Sequence, residues 1–331
     1  MNRSRTLAAA PALGLLFAVT AACGSSSDQA SSGSWAYTDG RGTVISLEAA
    51  PTRIVAQSSM AAALTDLGVP GIVGVFGPLK AAGGGVDRQA EGIDPGSVAD
   101  VTAAGEYGSL DLEKLASLRP DVVATYMYVP DQLWYVNPAT QTKLEKLVPT
   151  AVVDFEGKTL IETLDSVKNL AKRLGADLGA KEVAASRADF DRASDRLKAV
   201  GAELRASGTN IVAVSPATDV LYVSDPSKSP DLSYYVNELK LPIVQPKGVK
   251  AADYFETLSW EKADKYRGDI ALYDARVGEA GLKIFDAQPT WKTVPAGKEA
   301  AYVPWQSVAP PSFDAYAKIM NEIADGLEKQ R

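Results

Sequence analysis

Two stretches, "LDLEKLASLRPDVVATY" at 110–126 and "LSWEKADKYRGDIALYD" at 258–274, share one pattern. Both read Leu-x-x-Glu-Lys-x-x-x-x-Arg-x-Asp and then turn apolar. The matched residues are Leu110/Leu258, Glu113/Glu261, Lys114/Lys262, Arg119/Arg267 and Asp121/Asp269. Each stretch predicts a short capped helix followed by a buried strand. Asp111 and Ser259 are the expected N-caps, and each Glu falls in the first turn, where the helix dipole favours an anion. Pro120 and Gly268 end the helices. "DVVATY" and "DIALY" are continuous apolar runs of parallel-strand type.

A second pair of landmarks lies upstream of each. "RIVAQSSMAAALTDLGVPGIVGV" starts at Arg53; "NIVAVS" starts at Asn210, with "YVNELKLPIVQ" following at Tyr235. Both halves run Ile-Val-Ala, loop, helix, Asp/Glu-Leu-x-Val/Leu-Pro, strand. The order strand, helix, strand, capped helix, strand thus occurs twice, which points to a duplicated α/β lobe. Between the copies, "TLIETLDSVKNLAKRLGADLGA" keeps Leu160, Leu164, Val167, Leu170, Ala171 and Leu174 at helical spacing. It reads as one connecting helix that holds the lobes in nearly fixed relation, with a further helix from Lys181. The expected fold is α/β: two Rossmann-like lobes, each with a central mostly parallel sheet, joined by one long helix. The expected boundaries are 39–156, 157–178 and 179–331.

The N-terminus has its own logic. Arg3 and Arg5 precede "TLAAAPALGLLFAVTAA", a basic region, an apolar region and small residues, as in a secretory signal peptide over 1–22. The single cysteine, Cys23, follows at once. "TAAC" resembles the lipobox at which bacteria lipidate a cysteine and cut before it, although Thr20 stands where Leu is usual. Cys23 is therefore the expected lipid anchor, and residues 23–38, rich in Ser and Gly, the flexible tether to the outer face of the membrane. No second cysteine is present for a disulfide or a thiolate site.

Composition narrows the chemistry. With no histidine, Ser-His-Asp catalysis and His-ligated metal sites are excluded. Forty-one Asp and Glu residues against 34 Lys and Arg give a net charge of −7, which becomes more negative once Arg3 and Arg5 are removed. Without a basic patch, such a chain is no nucleic-acid binder.

The segments "APTRIVAQSSMAAALTDLGV", "SLDLEKLASLRPDVVATY", the connecting helix and "PTWKTVPAGKEAAYVPW" together resemble the lipid-anchored substrate-binding proteins of bacterial ABC importers for ferric siderophores, haem and cobalamin. In that family two lobes are bridged by a helix and the ligand lies between them. The resemblance implies that Glu113 and Glu261, one per lobe, dock onto arginines of the permease. As residues at the starts of equivalent helices, both are expected to lie away from the strand ends. It implies no cofactor, iron entering only inside its chelate, and a monomer.

Ligands of open α/β sheets bind beyond the carboxyl ends of the strands. That rule nominates Tyr107, Tyr126, Tyr128, Trp134, Tyr234, Arg276 and Trp305 as ligand-binding residues. Aromatic rings suit a bulky organic chelate, and tyrosine hydroxyls can donate to it. The lack of histidine favours a siderophore over a bare metal ion and weakens haem. Little positive charge near these residues favours a hydroxamate over a catecholate, although Lys80, Arg88 and Lys250 are within possible reach. The competing readings are a haem or cobalamin carrier, a carboxylate-based enzyme such as a glycosidase using Asp154 and Glu156, and a structural lipoprotein with no pocket.

Overall fold

The computed structural model describes residues 34–81, 83–250 and 253–330. Cys23, the signal segment and most of the tether lie outside the described residues.

The first lobe opens with a hairpin, β1 (Trp35–Thr38) and β2 (Val44–Leu47), followed by β3 (Ile54–Gln57), α1 (Ser58–Asp66), β4 (Ile72–Phe76), β5 (Ala99–Asp100), α2 (Leu112–Ser117), β6 (Val122–Met127), α3 (Pro138–Leu147) and β7 (Thr150–Asp154). Strand β1 begins inside the stretch read as tether: Trp35 is buried in the lobe core and its indole donates to the Arg173 carbonyl at 2.6 Å. The five-stranded sheet has the order β5-β4-β3-β6-β7, with every pair parallel. Helices cover both faces, which is why β3 and β6 are buried at every residue. Alternate residues serve opposite cores: Val122, Ala124 and Tyr126 face one, Val123 and Met127 the other.

Two helices follow, α4 (Leu160–Arg173) and α5 (Lys181–Ser207). Helix α4 opens with a capping box in which Thr159 and Glu162 satisfy each other's backbone. Its Leu160 and Leu164 belong to the core of the second lobe, while Val167, Leu170 and Ala171 belong to the first. The connection is not one helix over 157–178. Helix α4 ends at Arg173, Gly175 turns the chain with φ of 97°, and α5 carries it across, from Val183 in the first core to Phe190 and beyond in the second.

The second lobe comprises β8 (Ile211–Pro216), β9 (Val220–Ser224), α6 (Pro230–Asn237), β10 (Phe255–Ser259), a 3-10 turn at Trp260–Lys265, β11 (Ile270–Asp274), α7 (Gly278–Ala287), α8 (Pro295–Lys298), β12 (Tyr302–Trp305) and α9 (Phe313–Lys329). Its sheet, β10-β9-β8-β11-β12, is mixed: β8, β11 and β12 are parallel, whereas β9 runs antiparallel to both of its neighbours, β8 and β10. "LPIVQ" forms no strand; it contributes one parallel bridge, Ile243 to Ile211, because β9 takes the edge of β8.

The repeat has a structural reason. In the first lobe the Asp121 carboxylate accepts from the Thr52 and Arg53 N–H groups at 2.8 and 2.9 Å, and in the second Asp269 accepts from Asn210 N–H at 2.8 Å. Each Asp ties the start of one parallel strand to the start of its neighbour. The caps are less alike. Asp111 accepts from Lys114 N–H at 2.9 Å, whereas Ser259 caps nothing and its hydroxyl holds the Glu261 carboxyl below its ordinary pKa.

Candidate functional site

A cleft of about 760 Å³ lies between the lobes. Loops after β6 supply one wall, with Tyr128 and Trp134; Tyr107 comes from the loop before α2. Opposite stand Tyr222, Tyr254 and Phe255 of the second lobe, with Arg276 after β11 and Trp305 at the end of β12. Gly108 permits the close approach of the Tyr107 loop: at φ of 76°, its Cβ would sit 2.5 Å from Asn137 N.

Five of the seven sequence-predicted residues line the cleft: Tyr107, Tyr128, Trp134, Arg276 and Trp305. Two do not. Tyr126 is fully buried beneath the wall, stacked on Phe155 with ring centroids 4.6 Å apart, and its hydroxyl pairs with Ser59 Oγ at 2.8 Å. It still lies within β6, paired with Val153, and shares the inward face of Ala124; only Tyr128 lies past the strand end. Tyr234 sits one turn into α6, against Phe190, with its hydroxyl 3.0 Å from Ser194 Oγ. The start of that helix, Ser229 to Asp231, is what meets the cleft.

Tyr222, Tyr254 and Phe255 were missed because Tyr222 lies within the reversed strand β9, and Tyr254 and Phe255 lie at the amino end of β10, where a rule about carboxyl ends does not look. The alternation in "VLYVS" and the aromatic pair opening β10 were the available signals. Tyr316, from α9, and Thr163, from α4, also line the cleft.

The charged lining consists of Asp225, Asp231 and Asp274 against Lys228 and Arg276. Arg276 is held bidentately by Asp274, Nε to Oδ1 at 3.0 Å and Nη2 to Oδ2 at 2.6 Å. Burial opposes the guanidinium charge, yet Asp274 prevails and holds the Arg276 pKa above its ordinary value. Asp231 is buried and accepts from Trp305 Nε1 at 2.6 Å and from the Ser229 hydroxyl. Burial pushes its pKa up against those two bonds. Burial also raises Tyr107 and Tyr128, keeping both phenols protonated as donors. Lys80, Arg88 and Lys250 do not line the cleft, and Arg88 pairs with Glu322. Asp154 and Glu156 are also outside the lining; the Asp154 carboxylate accepts from Glu156 N–H at 2.9 Å. Among the described residues no group of three or more His, Cys, Asp or Glu is placed to hold a metal ion, and no helix is long and apolar enough to cross a membrane.

Among the described residues, polar contacts that join the lobes include Tyr254 to the Tyr128 carbonyl, Arg88 to Glu322, and Asp66 at the end of α1 accepting from Ser312, the N-cap of α9, at 2.5 Å.

Glu113 and Glu261 are exposed. They do not lie away from the strand ends. Leu110 bridges to Thr102, which in turn meets Gly77 just past β4, and Trp260 donates to Ala217 just past β8. Helices preceding parallel strands run opposite to them, so both first turns lie on the carboxyl edge, beside the cleft and outside its lining.

Comparison with known proteins agrees with this architecture. The profile of the family described as "Periplasmic binding protein" matches residues 62–307. The crystal structure of DesE, a ferric-siderophore receptor protein from Streptomyces coelicolor, is 33% identical, with a TM-score of 0.80 over 89% of this chain and 98% of that one. The petrobactin-binding protein YclQ from Bacillus subtilis has a TM-score of 0.67 at 15% identity, over 89% of this chain and 99% of its own, and shares the fold. The Fe(3+)-citrate-binding protein YfmC of Bacillus subtilis (strain 168) is 27% identical over 204 residues, 61% of this chain; the match spans 59% of that relative's length.

Proposed function

Since the chain belongs to the periplasmic binding protein family, we propose that it captures a ferric siderophore of hydroxamate type in the inter-lobe cleft, outside the cell membrane, and delivers it to an ABC importer. The observation that carries this reading is the cleft lining: aromatic rings from both lobes around about 760 Å³, with three carboxylates against two cations. Such a site suits a bulky, roughly neutral organic chelate. Ferric citrate and catecholates are anionic and would meet no excess of positive charge. The ferric-siderophore receptor DesE, similar over nearly its whole length, supports the ligand class.

Glu113 and Glu261 are the proposed permease contacts. Their place on the cleft edge of each lobe would turn the cargo toward the partner they dock on. Cys23 is the proposed lipid anchor, with the mature chain acting as a monomer. The test is a binding screen by tryptophan fluorescence across ferric hydroxamates, ferric catecholates, ferric citrate, haem and cobalamin. Tight binding of a hydroxamate with weak binding of the others is expected; preference for an anionic chelate would overturn the assignment.

A further inference from the structure

Five buried side-chain polar atoms have no hydrogen-bond partner among the described residues, and three of them belong to residues lining the cleft: Trp134 Nε1, Thr163 Oγ1 and Ser307 Oγ. They come from three separate parts of the chain: the loop after β6, helix α4 and the segment after β12. Buried polar atoms are nearly always partnered, because desolvation without a bond is a loss that folding does not recover. Thr163 makes the case most sharply. A threonine inside a helix commonly turns its hydroxyl back to the carbonyl four residues earlier. Here the Thr159 carbonyl accepts the Thr163 backbone N–H at 3.0 Å, and the hydroxyl is left unbonded although the residue is only 3% exposed. Thr163 lines the cleft from α4, the helix that gives Leu160 and Leu164 to the second core and Val167 to the first.

We propose that Trp134, Thr163 and Ser307 form a polar floor that donates hydrogen bonds to neutral oxygen acceptors, amide or hydroxamate carbonyls, on the organic scaffold of the chelate. The indole N–H can only donate, and the two hydroxyls can orient to do so. No cation belongs to the set, so it reads oxygen position and not charge. Arg276 is already engaged by Asp274, so this floor adds uncharged donors to the phenols of Tyr107 and Tyr128. The inference rests on the ligand class proposed above and adds the residues that select within it.

The experiment compares wild type, Thr163→Val, Ser307→Ala, the double variant and Thr163→Ser, using the ferric complex of a linear trihydroxamate. Thr163→Val keeps the side-chain shape and removes the hydroxyl; Thr163→Ser keeps the hydroxyl. Each loss should weaken binding about 3- to 10-fold, and the double variant more. Thr163→Ser should stay near wild type. The ligand-free melting temperature should hold or rise, because an unsatisfied hydroxyl has been removed. Tyr235→Phe is the control: its hydroxyl is also buried and unpartnered but lies off the cleft, so it should leave affinity unchanged. A double variant that binds within twofold of wild type overturns the floor and leaves the proposed function standing. A melting temperature that falls together with affinity assigns the two hydroxyls to stability and also overturns it. Wild-type protein that binds no trihydroxamate complex overturns both readings.

Discussion

The hydroxyl of Tyr254 in the second lobe donates to the backbone carbonyl of Tyr128 in the first at 3.0 Å, and the two rings meet edge-on with centroids 6.4 Å apart. This contact crosses the cleft that a ligand must enter. Tyr254→Phe keeps the ring and removes the tie. Both association and dissociation rates of the chelate should then rise severalfold, as expected when a gating contact is lost. Stopped-flow fluorescence checks this; a change in the dissociation rate alone would make Tyr254 a plain ligand contact.

Tyr126 and Tyr128 sit two residues apart and should respond oppositely. Tyr126→Ala leaves a void beneath the wall and should cost about 3–5 kcal/mol of stability, as large aromatic truncations in cores do. Tyr128→Ala should weaken chelate binding by about 1–3 kcal/mol if the ring is a central contact. Denaturant melts and titrations on both variants separate the two effects; equal affinity losses at equal stability would contradict the burial difference.

Asp66 makes stability at the lobe seam depend on pH. Burial lifts its pKa from 3.8 to about 6, against the lowering pull of Ser312, with Asp314 and Glu91 raising it and Lys318 lowering it. The folded protein therefore holds this proton more tightly than the unfolded chain does. Its contribution is complete below about 4 and is lost as pH rises through about 6. Asp66→Asn keeps an acceptor for Ser312 and removes the titration. The stability gap between variant and wild type should widen in the variant's favour from pH 4 to pH 6 and then level off. Denaturant melts across pH 4–8 test this, and a flat difference would refute it.

Glu113→Ala combined with Glu261→Ala should leave chelate affinity near wild type, since both residues lie outside the cleft lining. Uptake by cells should fall sharply and be worse still with Arg at both positions, where like charges would face each other. Wild-type iron import by the double Ala variant would remove these residues from permease docking.

Much of the fold was legible because it follows from short-range rules. The Ile-Val-Ala runs became central strands in both lobes, and the repeated Asp became the tie between neighbouring strand starts. The antiparallel β9–β10 pair was not legible, because strand direction depends on which edge of β8 is occupied, a long-range choice. At the site, the strand-end rule found Tyr128, Arg276 and Trp305. It failed at Tyr126, one residue before β6 ends at Met127, since a boundary error of one or two residues turns a wall residue into a core residue. Tyr222, Tyr254 and Phe255 went unnoticed with the strands that carry them.

Helix α4 gives Leu160 and Leu164 to one core and Val167, Leu170 and Ala171 to the other. Neither lobe can melt without stripping half of a helix on which its neighbour depends. The protein should therefore unfold as one cooperative unit, with a single calorimetric transition in place of one for each half. It follows that a destabilising substitution deep in either lobe would lower the transition of the whole molecule, and that the two halves, expressed apart, would each expose an apolar stripe and fail to persist as soluble folded pieces.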